Sequence, residues 1–165
     1  MRQVRSSTTL VLAVGLCLLL AAGAAAQVTG YGSTPLPADI YGPLNEGFGL
    51  IADGKYDAAA VKFKDVLQKD PNNPFALNNL AAIEAQKGHY REAMAFLQQA
   101  TVKANDYRQK VAQTCFVAGL CNAVKPRQEV GPTSTIAPII QDNIAKLKPK
   151  VEALPPSPSS PPAMK

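Results

Sequence analysis

Apolar side chains recur every three or four positions over most of the chain between residues 40 and 105, with polar residues between them. This spacing places the apolar side chains on one face of a helix, so it predicts a series of amphipathic helices. The series is interrupted at Gly54 and Gly88, where a backbone with positive φ suits glycine, and at Pro71 and Pro74, which disfavour a continuing helix. The pattern therefore predicts helices that fold back on one another as hairpins.

The stretch that begins at Gly54 and ends at Asn73 recurs later in the chain in an altered form. The offset between equivalent positions is 34 residues, which is the length of a stacked helix–turn–helix unit. The sequence therefore predicts a small helical solenoid. The equivalent pairs are Gly54 and Gly88, Tyr56 and Tyr90, Ala59 and Ala93, Phe63 and Leu97, and Val66 and Ala100.

The repeated residues have distinct structural roles in this prediction. Each glycine forms the turn inside a hairpin, and the tyrosine that follows, Tyr56 or Tyr90, wedges its ring between the two helices. The alanine, Ala59 or Ala93, allows close approach, because a small side chain beside a large one lets two helices interlock. Pro71 ends the second helix, and the asparagines after it can cap the next one.

The second unit resembles the tetratricopeptide repeat family. Its segment Leu77–Ala81, LNNLA, is similar to the first-helix signature of that family, and the second-helix pattern follows it. In the first unit, Pro43 and Glu46 depart from the first-helix pattern. The residues that carry the repeat pattern are Gly54, Tyr56, Ala59, Phe63, Pro71, Leu80, Gly88, Tyr90, Ala93, Leu97 and Ala100.

The resemblance covers residues 40–105 as two repeats, 40–73 and 74–105, and implies an all-α fold: a short solenoid of antiparallel helical hairpins with C-terminal capping helices. About three such units are usually needed for stability, so the exposed face of the second unit must be covered. Residues 106–154 are therefore predicted to form capping helices, or a degenerate third unit.

Two capping segments are predicted within residues 106–154. The first is a helix over Asp106–Ala123, because Val111, Cys115 and Ala118 form an apolar stripe, and a loop at 125–133 follows. The second is a helix capped by Ser134 or Thr135, with Pro138 tolerated in its first turn and Pro149 predicting a kink or an end near Lys148. Its apolar stripe is Ile136, Ile140, Ile144, Leu147, Val151 and Leu154.

The two ends of the chain have other compositions. Residues 1–26 combine arginines, an apolar run and a final Ala-Ala-Ala, which is typical of a secretory signal peptide cleaved after Ala26. An uncleaved membrane anchor and a lipoprotein leader at Cys17 are the weaker alternatives. Residues 27–39 are predicted to be a flexible lead-in, and the proline-rich residues 155–165 a disordered tail.

The charge of the chain is modest. The formal net charge is +5, and loss of Arg2 and Arg5 with the leader reduces it to +3. Without the leader, basic residues outnumber acidic ones only in the C-terminal part, where they are scattered and the aromatic residues are Tyr107 and Phe116. This distribution argues against nucleic-acid binding.

Two cysteines, Cys115 and Cys121, remain without the leader. In an unbroken helix they would lie about 9 Å apart along the axis, which is beyond disulfide reach. If Gly119 ended the helix and the chain folded back, an oxidising compartment would favour a bridge. The sequence leaves both a disulfide and two free thiols open.

No catalytic pattern is visible. The chain has one histidine, His89, which falls in a predicted turn, and it has neither a glycine-rich phosphate loop nor a nucleophile elbow. The sequence therefore predicts no enzyme, no metal site and no cofactor.

By the resemblance, the first helices of the repeats line a concave groove. Apolar and amide side chains there suit an extended or helical peptide, and Asn78 or Gln86 can bond to its backbone. The alternative is that Phe48 and Phe75 only complete the core. The expected groove residues are Tyr41, Leu44, Phe48, Ile51, Phe75, Asn78, Ala82 and Gln86.

Together these features predict an exported, periplasmic or secreted protein-interaction module that binds a protein or peptide partner. Two alternatives stay open. The solenoid could self-associate as a structural component, because uncovered repeat faces are apolar. It could also bind a cell wall or membrane surface through its basic C-terminal half.

Overall fold

Five helices and one β-hairpin form in residues 33–156, the part of the chain that the computed structural model describes. The predicted signal peptide, the first residues of the predicted lead-in and the predicted tail beyond residue 156 lie outside the described residues. The elements are α1 (Ala38–Ala52), α2 (Tyr56–Lys69), α3 (Pro74–Gln86), α4 (Tyr90–Thr101), a 3-10 turn (Ala104–Asp106), β1 (Gln109–Val117), β2 (Cys121–Val130) and α5 (Ile136–Glu152).

The two predicted repeats form as two helical hairpins, α1 with α2 and α3 with α4. Gly54 and Gly88 lie in the turns with φ of 74° and 80°. Tyr56 and Tyr90 are the first residues of α2 and α4, so they occupy equivalent positions. The residues that pack between helices at the 34-residue offset are all fully buried: Ala59, Phe63, Val66, Ala93, Leu97 and Ala100.

Asn73 caps the helix that starts the second repeat. Its Oδ1 accepts hydrogen bonds from the N–H groups of Phe75 (3.1 Å) and Ala76 (3.0 Å), and Pro74 occupies the first helical position. The Asn73 amide donates to the buried carboxylate of Asp70 at 2.9 Å, which also accepts a bond from the Tyr107 hydroxyl. The inter-repeat turn is thereby tied to the chain that leads into β1.

Pro43 lies inside α1 without ending it. A proline has no N–H, so the carbonyl of Asp39, four residues earlier, loses its helical donor. The Lys69 ammonium at the end of α2 donates to this carbonyl at 3.2 Å and also pairs with the Asp39 carboxylate at 3.2 Å. A side chain of the second helix thus replaces the missing bond of the first.

The prediction of an all-α fold is wrong, because residues 109–130 form an antiparallel hairpin instead of a capping helix and a loop. Val111, Cys115 and Ala118 fit a helical stripe, but Val111, Cys115 and Val117 also fit an alternation of period two. Burial follows the alternation except at Gln113, which is exposed: Gln109 and Val117 are buried and Val111 and Cys115 are half-buried, while Ala112, Thr114 and Phe116 are exposed. The fold is therefore mixed α/β, with a helical repeat region followed by a two-stranded sheet.

The hairpin turns at Ala118 and Gly119, whose φ values are 54° and 62°. Two residues with positive φ in succession are typical of the type I′ turns that join antiparallel strands. Pro126 is accommodated within β2 because it pairs with Val111 between two register shifts, where regular ladder bonds are interrupted.

Helix α5 packs mainly against α4. Ser134 Oγ accepts a bond from the Ala137 N–H at 3.1 Å and so caps its first turn. The sequence predicted a kink or an end near Lys148; an end there is wrong, because the helix continues through Pro149 to Glu152. Of its expected apolar stripe, Ile136, Ile140 and Leu147 are fully buried.

Residues 33–37 are not the flexible lead-in that the sequence suggested. Leu36 is buried, and Gln128 of β2 bonds both of its backbone groups at 2.8 Å, accepting from the N–H and donating to the carbonyl. Gln109 Nε2 donates to the Thr34 carbonyl at 2.6 Å. The hairpin therefore anchors the chain immediately before α1.

Two Gly→Ala substitutions, compared with a third as control, test the geometry of the first repeat. Gly54→Ala should destabilise by about 1 kcal/mol, because its φ of 74° strains any L side chain although the space is open. Gly47→Ala should destabilise by about 1–3 kcal/mol, because the new Cβ would lie 2.6 Å from the Phe63 ring. Urea denaturation of the purified protein measures both.

The matched control for these substitutions is Gly49→Ala, in the same helix as Gly47. A Cβ there meets nothing within 4 Å and φ is not positive, so alanine should stabilise by up to about 1 kcal/mol. If all three variants shifted stability in the same direction, the assigned geometry of the first repeat would be incorrect.

Candidate protein-interaction site

The expected groove residues are largely inside the molecule. Gln86 is exposed at the end of α3, and Tyr41 is half-buried. The other six are no more than 5% exposed: Leu44, Phe48, Ile51, Phe75, Asn78 and Ala82. These six residues are therefore not accessible to a partner in this conformation. The expectation that they line an open groove is wrong.

Strand β2 covers the face of the repeats where the groove was expected, since it packs against α1 and α3. Asn79 of α3 bonds both backbone groups of Val124: its Nδ2 donates to the carbonyl at 2.8 Å, and its Oδ1 accepts from the N–H at 2.7 Å. A carboxamide has the same donor and acceptor pair as a peptide group. Asn79 thus takes the place of a neighbouring strand.

A second carboxamide, that of Asn143, bonds both backbone groups of Asn122, two residues before Val124 on β2. Asn143 of α5 accepts from the Asn122 N–H at 2.8 Å and donates to the Asn122 carbonyl at 3.0 Å. Asn78 donates to that carbonyl at 2.8 Å and accepts from Asn143 at 2.8 Å. Asn78 therefore bonds to an extended strand of this same chain, whereas the sequence predicted a bond to a partner peptide.

The network has no charged member, and Asn78, Asn79 and Asn143 are all 0% exposed. Buried amides stabilise a fold only when their hydrogen bonds are made, since an unpaired buried polar group costs about 1–3 kcal/mol. The sequence carried one signal of this network: two adjacent asparagines in a helix interior, where asparagine is unfavourable without a partner.

A surface pocket of about 360 Å³ lies on the other side of the repeats, between α2 and α4 and above α3. Leu80 is buried at its base, and Phe96 is half-buried at its side. We call it the α2–α4 pocket. Its lining residues are Lys64, Leu80, Glu84, Glu92, Ala95, Phe96 and Gln99.

The polar side chains of the α2–α4 pocket differ in their pairing. The Glu84 carboxylate lies 2.7 Å from His89 Nδ1 and 3.7 Å from the Lys87 ammonium. A hydrogen bond from Lys87 to Asp57 at 2.9 Å raises the lysine pKa, so Lys87 is held chiefly by Asp57. Glu92 makes no ion pair within residues 33–156 and is exposed. His89, which lies in the α3–α4 turn, therefore pairs with Glu84, a residue of the pocket lining.

The outer edge of β1 is a second exposed feature. Asn122 and Val124 direct their backbone groups toward the asparagines, so Ala123 between them faces β1 and pairs with Cys115. By the same alternation, Thr114 and Phe116 direct their backbone groups away from β2. The Phe116 side chain is 54% exposed, with the Lys146 ammonium 4.7 Å from the ring centre.

The two cysteines are free thiols in the structure, so the possible disulfide is not formed there. The chain does fold back at Gly119, but Cys115 pairs with Ala123 and Val117 with Cys121, which leaves the cysteines in diagonal positions about 7–8 Å apart. Burial raises the pKa of the Cys121 thiol to about 11. Within residues 33–156, no group of three or more His, Cys, Asp or Glu residues could hold a metal ion.

The basic residues of the C-terminal half do not form one patch in the described part of the chain. Several of them are paired with carboxylates on their own element or its neighbour, as in Lys110 with Glu129 and Lys146 with Asp142. In residues 33–156, none of the helices has the length and apolar character required to cross a membrane.

Asn79→Ala tests the carboxamide network. It leaves both backbone groups of Val124 unpaired, so it should destabilise the protein by about 3 kcal/mol in urea denaturation. Asn105→Ala removes the same side chain from an exposed position and should change stability by less than about 0.5 kcal/mol. Equal effects of the two substitutions would contradict a supporting role for Asn79.

Thiol alkylation tests the environment of Cys121. With its pKa at about 11, only about a thousandth of this buried thiol is thiolate at pH 8, so iodoacetamide should modify half-buried Cys115 first. Between pH 7.5 and 9.5 the Cys121 rate should rise about tenfold per pH unit, because its pKa lies above this window. Peptide mass spectrometry measures both rates, and urea should make them similar. A Cys121 rate that levelled off below pH 9 would refute the assignment.

Comparison with known proteins agrees with the helical geometry. Residues 50–113, from the end of α1 to the middle of β1, match the family described as tetratricopeptide repeat. No curated protein and no solved structure matches the chain. Tetratricopeptide repeats generally mediate protein–protein interactions and typically act as non-enzymatic scaffolds. Together with the two hairpins, whose residues recur at a 34-residue offset, this match identifies residues 50–113 as tetratricopeptide repeat sequence.

Proposed function

We propose that the chain is an exported protein-interaction module that binds its partner on the α2–α4 side of the repeats. The observation that carries this proposal is the occupation of the opposite side by β2, whose backbone already uses the carboxamides of Asn78 and Asn79. A partner would have to displace buried residues and several hydrogen bonds to bind there. The α2–α4 pocket needs no such rearrangement.

Export is part of the proposal and rests on the composition of residues 1–26. An arginine-bearing start, an apolar run from Leu10 and a final Ala-Ala-Ala have the order of a cleaved leader. N-terminal sequencing of the protein from the extracellular or periplasmic fraction should then begin at Gln27. Recovery of a chain that retains Met1 would refute cleavage.

Site-specific photo-crosslinking tests which side of the repeats binds. A benzoylphenylalanine at Ala95, an exposed residue of the α2–α4 pocket, should capture a partner in the native cells. The same group at Gln86 samples the end of the expected groove, and at Ala145, exposed on α5, it serves as the matched control. The captured protein is then identified, purified and tested for direct binding.

Two outcomes decide the proposal. An adduct from Ala95 alone, with direct binding of the purified partner, supports it. Adducts that form only from Gln86, or equally from Ala145, would contradict binding on the α2–α4 side.

Self-association through β1 is a second candidate, favoured by the open edge at Thr114 and Phe116. Residues 111–117 of this strand contain no charged residue and no proline, and edges without such protection tend to pair with another strand. Two copies could align antiparallel about Cys115, which would continue the sheet across a two-fold axis.

Thr114→Pro tests this candidate without breaking the hairpin, because the Thr114 N–H points away from β2. Light scattering of the unsubstituted protein at about 5–500 µM should show a dimer, because protein pairs of micromolar affinity associate in this concentration range. The substitution should convert the dimer to a monomer. A monomer at every concentration before substitution would exclude self-association.

A further inference from the structure

We propose that the α2–α4 pocket binds a partner segment in which a large apolar residue stands next to a lysine or arginine. This inference rests on the proposed function and specifies the chemistry of its partner. It differs from the groove expected by resemblance to the family, because it uses the second helices of the two repeats and only the outward side of α3.

The apolar part of the pocket accounts for the large apolar residue of the partner segment. Leu80 is 1% exposed and forms the base, while Phe96 and Ala95 of α4 form one wall. A volume of about 360 Å³ admits one large side chain with the adjoining backbone. Each Å² of apolar surface removed from water there contributes about 25 cal/mol, so an aliphatic or aromatic side chain is favoured over a polar one.

The charges around the pocket account for the lysine or arginine of the partner segment. Glu84 near the end of α3 and Glu92 in the first turn of α4 both lie toward the α3–α4 turn. Glu92 is exposed and in no ion pair within the described residues, so its carboxylate can accept a cation without giving up an existing contact. Glu84 already faces Lys87 and His89, so it is chiefly the Glu92 carboxylate that selects a basic residue in the partner.

Lys64 is the lining residue that α2 contributes, and we place it toward the other end of the pocket from its position in the repeat. The 34-residue offset makes Lys64 equivalent to Gln98, six residues beyond Glu92, which corresponds to about 9 Å along a helix. Lys64 is exposed and makes no ion pair within residues 33–156. The partner's basic residue is therefore repelled from this end and drawn to the other, which gives the bound segment one direction.

NMR titration of the isotope-labelled mature chain tests the inference with three nine-residue probes in a Gly-Ser background. The first has one arginine beside one leucine; the second replaces the arginine by glutamate; the third replaces the leucine by serine. The first probe should shift amide signals of α4 and of the outward side of α3, around Leu80, Glu92 and Phe96. Its affinity should exceed that of the other two probes at least fivefold.

Glu92→Gln should weaken the first probe about threefold at low salt, the size typical of an exposed ion pair, and should reduce the salt dependence of binding. Glu129→Gln is the matched control: it removes the same charge from an exposed residue of β2 and should leave binding unchanged. The shifts of amide signals are measured on the unsubstituted protein, so they locate the binding site even if a variant loses stability.

The inference is overturned if the first probe causes no shifts at millimolar concentration, if its shifts fall outside the α2–α4 pocket, or if the glutamate probe binds equally well. These results are separable from those of crosslinking. A partner captured from Ala95 while the arginine–leucine probe fails would refute the partner chemistry alone. Absence of any partner at Ala95 would refute the proposed function itself.

Discussion

The pairing of side-chain amides with the backbone of β2 is the interaction on which the rest of the structure depends. A strand at the edge of a two-stranded sheet presents unpaired peptide groups on its outer side, and burying them without partners would oppose folding. Asn79 and Asn143 satisfy Val124 and Asn122 with two hydrogen bonds each. Because of these bonds, β2 can enter the interior between helices without a third strand beside it.

This arrangement explains how two repeats can bury their apolar faces without a third in residues 33–156. Stacked hairpins bury an apolar face only against a neighbour, and a third hairpin would be the ordinary solution. Here the inner face is closed by a strand, and α5 packs against α4. The hairpin also fastens the chain before α1, since Gln128 bonds both backbone groups of Leu36. One short sheet therefore connects the beginning, the middle and the end of the described region.

The repeats could be predicted from the sequence because their information is local. Glycine with positive φ, a proline after α2 and a constant offset each specify geometry within one unit. The hairpin could not be predicted in the same way, since Val111 and Cys115 satisfy a helical and a strand period equally, and only contacts with distant residues select one. The sequence predicted that Asn78 bonds to the backbone of a partner peptide. In the structure its amide donates to the Asn122 carbonyl of this chain instead, a contact that depends on the same hairpin. The α2–α4 pocket combines residues of three helices and has no signature in any one of them.

The order of synthesis gives the Asn79–Val124 contact a further consequence. Its two residues are 45 positions apart, whereas the helical hairpins form from contacts within one repeat length. At ordinary elongation rates of about 5–20 residues per second, synthesis of the 45 residues from Asn79 to Val124 takes roughly 2–9 seconds. The inner face of the second repeat therefore exists for that time before the strand that covers it is made. Before β2 is available the chain exposes an amide-lined apolar surface, so the fold is completed only by a late, non-local contact.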